Sequence, residues 1–203
     1  MGQSGDGQTK AASRRRAAAL AQPGRIATPD LAAWLLARKV NRIAGFLPLA
    51  SEVDVRPTLT TLARAGVHIA LPRMRDNTLD FVISDLPDFS DTARLTHFRK
   101  SELGTLEPHS GNTISSNDCD AILLPALACD YSGSRLGRGG GYYDRALAQL
   151  PDEVILIAVV LDSQLWVAGD VPVQNHDVQV HAVATPTALV FTEHGEGVIN
   201  RER

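Results

Sequence analysis

Continuous apolar runs, alternating runs and helical repeats succeed one another along the chain. Val154-Ile-Leu-Ile-Ala-Val-Val-Leu161 is apolar throughout and rich in β-branched residues, as a strand covered on both faces is. Ala121-Ile-Leu-Leu-Pro-Ala-Leu-Ala128 is a second apolar run and reads as a buried strand. Val178-Gln-Val-His-Ala-Val183 alternates as a strand does, and Val67 to Leu71, closed by Pro72-Arg73, and Leu79 to Ile83 read as further strands. His68 alternates with apolar neighbours and is read as a structural histidine on a sheet face. Val40 to Leu49 supplies another strand, centred on Ile43 to Leu47 and entering a loop at Pro48. Helical patterns fall between them. Lys10 to Leu20 is stopped by Gln22-Pro-Gly24; a second helix starts at Thr28-Pro29-Asp30, with Thr28 as cap and proline at the first helical position, and runs to about Lys39. Pro57 to Ala65, Ser163 to Val167 and Tyr142 to Leu150 are the remaining helical stretches. Ser84 to Asn117 is polar and irregular, and the tail from about 193 to 203 is polar and expected to fray, as residues 1–8, rich in Gly and Gln, are expected to be disordered. Strands alternate with helices and neither an internal repeat nor a second core is legible. The expected fold is therefore one domain over 1–203, a three-layer α/β/α arrangement around a mostly parallel sheet.

The chemistry concentrates where the 121–128 run meets the Tyr142 helix. Arg135-Leu-Gly-Arg-Gly-Gly-Gly-Tyr-Tyr-Asp144 makes a strand feed a glycine loop and the loop feed a helix N-terminus. Glycines let backbone N–H groups face an anion at close range, and the first free N–H groups of a helix add to the same field. Arg135 and Arg138 bring planar charged forks that match phosphate oxygens. Asp144, in the first turn, can carry the divalent cation that triphosphates bring with them. A Walker A loop is excluded because no lysine follows the glycines, and the G-x-G-x-x-G match is loose. A plain glycine-rich turn with two solvated arginines is the bland alternative; three consecutive glycines, two arginines and Tyr-Tyr-Asp within ten residues weigh against it.

Composition narrows the class without changing this picture. The 203 residues carry a formal net charge of −3, which gives no sign of a general nucleic-acid or membrane binder. Cys119 and Cys129 have no disulfide framework or metal-ligand spacing, and Cys129 reads as a small core residue. No apolar stretch reaches membrane-spanning length and no signal-peptide pattern opens the chain, so the cytoplasm is the expected compartment. Lys10 and Arg14, four apart, share a helix face, though Arg15 and Arg16 leave the register open and a solvated charge run is the simpler reading. Glu52 lies in a loop before the Pro57 helix, where an acid more often marks a helix start than a site. Glu107-Pro108 by itself is an ordinary turn, and His176 an exposed loop histidine.

Leu124-Pro-Ala-Leu-Ala-Cys-Asp130, Gly133 and Arg135-Leu-Gly-Arg-Gly-Gly-Gly-Tyr-Tyr-Asp-Arg145 together resemble the signature of the 5-formyltetrahydrofolate cyclo-ligase (methenyltetrahydrofolate synthetase) family. The likeness covers about residues 40 to 190 well and the N-terminal helix weakly, since the stretch before the first core strand is shorter than usual by about a dozen residues. Phe46-Leu-Pro-Leu-Ala-Ser-Glu-Val-Asp54 resembles the family's folate-holding segment, and Leu103-Gly-Thr-Leu-Glu-Pro108 its Gly-x-x-Glu-Pro wall. The resemblance implies a fold shared with ribose-5-phosphate isomerase and CoA-transferases. It also implies an ATP-dependent enzyme that converts 5-formyltetrahydrofolate to 5,10-methenyltetrahydrofolate through phosphorylation of the formyl oxygen, releasing ADP and phosphate.

Residue by residue, the resemblance gives the nucleotide Lys10, Arg14, Arg135, Leu136, Gly137, Arg138, Gly139, Gly140, Gly141, Tyr142 and Tyr143. The folate falls to Leu47, Glu52, Arg138, Gly139, Gly140, Gly141 and Tyr142. Arg138 and Tyr142 take the catalytic places, and Asp144 and Asp177 hold magnesium. The implied partners are MgATP and a folate, with no nucleic acid, no membrane and a monomeric chain. Two rival readings stay open: a paralogue with another acyl- or formyl-like substrate, and a non-catalytic nucleotide or folate sensor.

Overall fold

In the computed structural model, which describes residues 3–76, 78–90, 98–101, 104–174 and 177–199, the chain opens with helix α1 (Gln3–Ala19). Helix α2 (Asp30–Ala37), strand β1 (Arg42–Ala44), helix α3 (Arg56–Arg64) and strands β2 (His68–Arg75) and β3 (Thr78–Ser84) follow. The short strands β4 (Phe98–Lys100), β5 (Leu106–Pro108) and β6 (Thr113–Ile114) lead to β7 (Ala121–Pro125), β8 (Ala128–Asp130) and β9 (Arg135–Leu136). Helix α4 (Tyr142–Leu147), strands β10 (Ile155–Val159), β11 (Leu165–Trp166), β12 (Ala182–Ala184) and β13 (Leu189–Phe191), and helix α5 (Glu193–Ile199) complete the order.

Eight strands form the central sheet in the order β13-β12-β10-β7-β1-β2-β3-β6. The five inner strands, β12 to β2, run parallel, and β13, β3 and β6 pair antiparallel at the edges. Side chains alternate between two cores, as the two-residue period of a strand requires. Ile43, Ile69, Leu123, Ile157 and Ala182 pack with Leu31 and Leu35 of α2 and Leu59 and Leu62 of α3. Their neighbours Ala44, Ala70, Ile122, Leu124, Leu156 and Val183 point the other way and pack with Leu147 of α4. Helix, sheet, helix is thus the layering, and both faces of β7 and β10 are covered. That explains why these two read as unbroken apolar runs.

A third cluster docks α1. Ala17, Ala128, Leu136, Trp166 and Val171 are buried together, and a small sheet, β11-β8-β9, provides the floor. Trp166 contributes to that floor because Leu165–Trp166 pairs parallel with Cys129–Asp130. The expected helix over 163–167 is therefore replaced by a single 3-10 turn, Asp162–Gln164, and a strand. An open strand edge at β8 outweighs weak local helix preference.

Other differences have equally local causes. The strand expected over 178–183 joins the ladder only at Ala182, because Val180 donates its N–H to the oxygen of Gly133 (2.9 Å) rather than to a strand. β2 runs through Pro72-Arg73 to Arg75, since beyond Ala70 its ladder is with β3 and no longer with β1. The irregular 84–117 stretch holds β4, β5 and β6, and β13 is an edge strand that no alternation announced. α1 begins at Gln3, inside the stretch expected to be disordered, as a helix extending from the Ala-rich 10–19 segment. The tail is not frayed at Glu193: Thr192 accepts the Gly195 N–H on Oγ1 (3.1 Å) and starts α5, a cap that satisfies an orphan donor. His68, by contrast, is exposed at the start of β2. Thr28 accepts the Asp30 N–H at 3.4 Å, but the cap position of α2 falls on Pro29, one residue later than expected, and carries no side-chain cap bond.

Candidate functional site

The glycine loop is held from below by a buried carboxylate. Asp130, fully buried at the end of β8, accepts the N–H groups of Ser132 (3.0 Å) and Ser134 (3.1 Å) on Oδ1, with the Ser132 hydroxyl at 2.5 Å. Its Oδ2 accepts the N–H groups of Gly169 and Val171, both at 3.1 Å. One side chain therefore ties the β8–β9 turn to the 169–171 loop. Gly133 sits at φ +95° in that turn, and a Cβ there would lie 2.6 Å from the Val180 oxygen, so only glycine fits. The turn delivers Arg135 and Leu136 into β9, and the chain leaves β9 as the loop 137–141.

Gly139 adopts φ +102°, and a Cβ on it would meet the Arg14 guanidinium at 3.2 Å. Gly141, at φ +64°, is the N-cap of α4. That helix has six residues, not the nine expected, so its dipole is short and the positive field at the loop comes chiefly from side chains. Four cations supply it. Arg14 donates from Nε to the Gly137 oxygen (3.1 Å). Lys10 reaches Asp177 Oδ2 at 2.6 Å and Gln174 Oε1 at 3.2 Å. Arg135, buried, is ion-paired with Asp144, and its Nε is buried without a hydrogen-bond partner among the described residues. Arg138 donates to Glu52 Oε1 from Nη2 at 2.9 Å and from Nε at 3.3 Å.

The register of α1 is thereby decided. Ala17 is its buried anchor, so Lys10 and Arg14, seven and three residues earlier, turn inward with it. Arg15 is exposed, and Arg16 lies over the Trp166 ring at 4.1 Å and faces Asp170 at 3.7 Å.

These groups line a cavity of about 260 Å³. Its lining joins apolar side chains, Phe46, Leu47, Leu49, Pro72, Met74 and Leu79, to Lys10, Arg14, Arg135, Arg138 and the loop glycines. Tyr142 lines it too, as does Tyr143, which is partly buried. Burial pushes its phenol far up, Glu52 and Glu107 push the same way and Arg135 opposes them, so it is a neutral donor at any working pH. Every residue that the resemblance assigned to nucleotide, folate or magnesium, including Leu47, Glu52, Asp144 and Asp177, lines this one cavity. His176, and Leu103 at the start of the Gly-x-x-Glu-Pro segment, lie outside the described residues.

Three lining residues stand out beyond the motif. Gln174 holds Lys10, and Thr105 and Glu107 form part of the wall. Glu107 is 2% exposed and accepts the Met74 N–H on Oε2 at 3.1 Å. Its burial depends on pairing between β4 and β5, which no local pattern announced; the Gly-x-x-Glu-Pro likeness was the available signal.

Magnesium can be tested against the donor set. Asp144 and Asp177 both line the cavity, but each is already paired with a cation, and no group of three or more His, Cys, Asp or Glu residues forms a metal cage among the described residues. Such a set suits a cation that arrives on phosphate oxygens and keeps its waters, with one or two carboxylates completing the shell. Cys119 and Cys129 are buried free thiols, each pushed up to about 12 by burial, so neither serves as a nucleophile.

Comparison with known proteins agrees with this geometry. A model described as the 5-formyltetrahydrofolate cyclo-ligase family matches residues 9–186. The 5-formyltetrahydrofolate cyclo-ligase of Mycolicibacterium smegmatis is 35% identical over 162 residues, covering 77% of this chain and 80% of that protein. The protein of that name from Mus musculus is 28% identical over 151 residues, covering 70% and 72%. In fold, the chain superposes on the 5,10-methenyltetrahydrofolate synthetase of Aquifex aeolicus with a TM-score of 0.67 at 21% identity, over 93% of both chains. With the synthetase of Mycoplasma pneumoniae the TM-score is 0.61 at 20% identity, over 88% of this chain and 97% of that one. The glycine loop, the cations around it and the carboxylates facing it thus sit inside a match that runs over most of the sequence, and the chain belongs to the 5-formyltetrahydrofolate cyclo-ligase family.

Proposed function

We propose that this protein closes 5-formyltetrahydrofolate to 5,10-methenyltetrahydrofolate at the expense of ATP, releasing ADP and phosphate. The observation that carries the reading is one cavity with two kinds of lining. Four cations and a glycine loop suit a triphosphate, and the apolar side chains that share the cavity with them, together with Glu52, suit a pterin. A formamide oxygen is a poor leaving group. It becomes a good one once it has attacked the γ-phosphorus, after which N10 closes on the activated carbon and phosphate departs.

That chemistry asks the protein for positioning and charge neutralisation. Lys10, Arg14 and Arg135 hold the phosphate chain. Arg138 and the amides of Gly139, Gly140 and Gly141 neutralise the transferring group. Leu47 packs on the pterin, Glu52 accepts from its N–H groups, and Tyr142 and Tyr143 fill the junction between the two substrates. Magnesium, carried in on ATP and met by Asp144 and Asp177, would offset phosphate charge. The chain acts alone on small molecules, with neither nucleic acid nor membrane as partner.

The test is incubation with 5-formyltetrahydrofolate and MgATP, following methenyl absorbance and ADP together. Stoichiometric appearance of both is expected. Nucleotide binding without methenyl formation would make the protein a sensor, and activity on another formyl compound alone would make it a paralogue of different specificity.

A further inference from the structure

Ring closure leaves a proton to be placed. N10 of the substrate carries a hydrogen that the product lacks. As the C–N10 bond forms, the C–O bond to the phosphoryl group breaks and its electron pair leaves with inorganic phosphate. The electron pair of the N10–H bond then completes the amidinium, and the proton must pass to a base within reach.

Few groups in the cavity are suited to take it. No histidine lines it among the described residues. Of its four carboxylates, Asp144 is paired with Arg135, Asp177 with Lys10 at 2.6 Å, and Glu52 with Arg138 at 2.9 Å. Glu107 is held more loosely: its ion pair, with Arg99, is 3.8 Å long, and the Arg99 side chain is half exposed. The Glu107 side chain is buried, so a positive charge growing nearby is poorly screened by water. It lines the same cavity as Glu52, Arg135, Tyr142 and Tyr143.

Glu107 has an outlet as well. Oε2 is committed to the Met74 N–H, while Oε1 faces the Thr105 hydroxyl at 3.4 Å, and Thr105 Oγ1 is 2.6 Å from Ser101 Oγ. Neither hydroxyl is fully buried. We propose that Glu107 is the base that accepts the N10 proton during ring closure and discharges it through Thr105 and Ser101. The carboxylate becomes a carboxylic acid as the amidinium forms, and reverts when the hydroxyl pair carries the proton outward. The assignment rests on the cyclo-ligase reading above and adds a residue to its second half-reaction alone.

That restriction supplies the test. Glu107→Gln keeps an oxygen for the Met74 N–H and removes the base. In the full-length protein it is expected to slow methenyl formation about tenfold or more. Phosphorylation continues, and the unclosed intermediate is lost to water, so more than one ADP appears per methenyl formed. Glu107→Asp should recover part of the rate and bring that ratio back toward one. Thr105→Val should show a milder fall with the same excess of ADP, and decides the matter if Glu107→Gln fails to fold. Wild-type rate with one ADP per methenyl in Glu107→Gln would overturn the proposal. So would an equal fall in ADP and methenyl, which marks a positioning effect. Failure of the cyclo-ligase reading itself would look different, because the wild-type protein would then form no methenyl compound.

Discussion

The Arg138 guanidinium reaches across the cavity to the Glu52 carboxylate, 86 positions earlier in the chain, with Nη2 at 2.9 Å and Nε at 3.3 Å from the same oxygen. The other oxygen of Glu52 accepts the Leu49 N–H at 2.9 Å. The pair joins the glycine loop to the 47–52 segment, so each member already has a partner in the cavity wall.

Arg138→Ala is therefore expected to separate activity from stability. Loss of one pre-organised charge contact at a transferring phosphoryl group lowers turnover by about two orders of magnitude or more. Arg138 has a side chain 44% exposed, and exposed ion pairs contribute about 1 kcal/mol or less. The methenyl assay and a urea unfolding curve, run on the same preparation, check both halves. Near-normal methenyl formation would remove Arg138 from the mechanism.

The docking of α1 leads to a comparison within one helix. Lys10→Ala should raise the apparent KM for ATP about tenfold, the size of one charge-assisted contact. Arg15→Ala, on the exposed face, should leave it unchanged. Isothermal titration with a non-hydrolysable ATP analogue distinguishes them, and equal effects from the two variants would mean that α1 does not dock by its Lys10 face.

Asp130 is the polar residue on which the loop's position most depends. Asp130→Ala leaves four N–H donors without their acceptor. Those of Ser134 and Val171 are buried, and an unpaired buried donor costs about 1–3 kcal/mol before relaxation, so a loss of about 2 kcal/mol or more is expected in urea unfolding. A change under 1 kcal/mol would show that the turn and the 169–171 loop hold their positions without it.

Acid should weaken the fold through His181. Burial lowers its pKa from 6.5 to about 4, the nearby His194 ring acts in the same direction, and Asp152 opposes them. The geometry agrees, because Nδ1 accepts the Leu156 N–H at 2.9 Å and cannot do so when protonated. The folded-state pKa lies below the unfolded one, so between pH 6.5 and about 4 the unfolded chain binds the extra proton. Stability is then full above pH 6.5 and declines as pH falls through that window. His181→Asn, which keeps an acceptor and has no titrating ring, should flatten the slope of unfolding free energy against pH there. An unchanged slope would assign the acid sensitivity to other groups.

Much of this protein was legible from local pattern. β7 and β10 announced themselves as apolar runs because both their faces are covered, and the alternation of their side chains between the two cores follows from strand geometry alone. The glycine loop was legible for a similar reason. Positive φ at Gly139 and Gly141 and the close approach of Arg14 admit few residues other than glycine, so the backbone requirement is written into the chain. Lys10 and Arg14 could be placed on one face by helical spacing, and the cyclo-ligase likeness of the Arg135–Arg145 stretch named the family.

Tertiary structure decided what depends on partners far away in sequence. Which basic residue of α1 faces inward was set by Ala17 settling against Leu136 and Trp166, a contact no helical period contains. Leu165 and Trp166 became a strand because β8 offered an unpaired edge, and residues 178–180 stayed out of the main ladder because the Gly133 turn took their hydrogen bond. Glu107 was an ordinary turn acid until β4 and β5 paired and buried it. Local sequence determines periodicity and backbone freedom, which act over a few residues; burial and electrostatic partnership arise only when segments about a hundred residues apart are brought within a few ångströms.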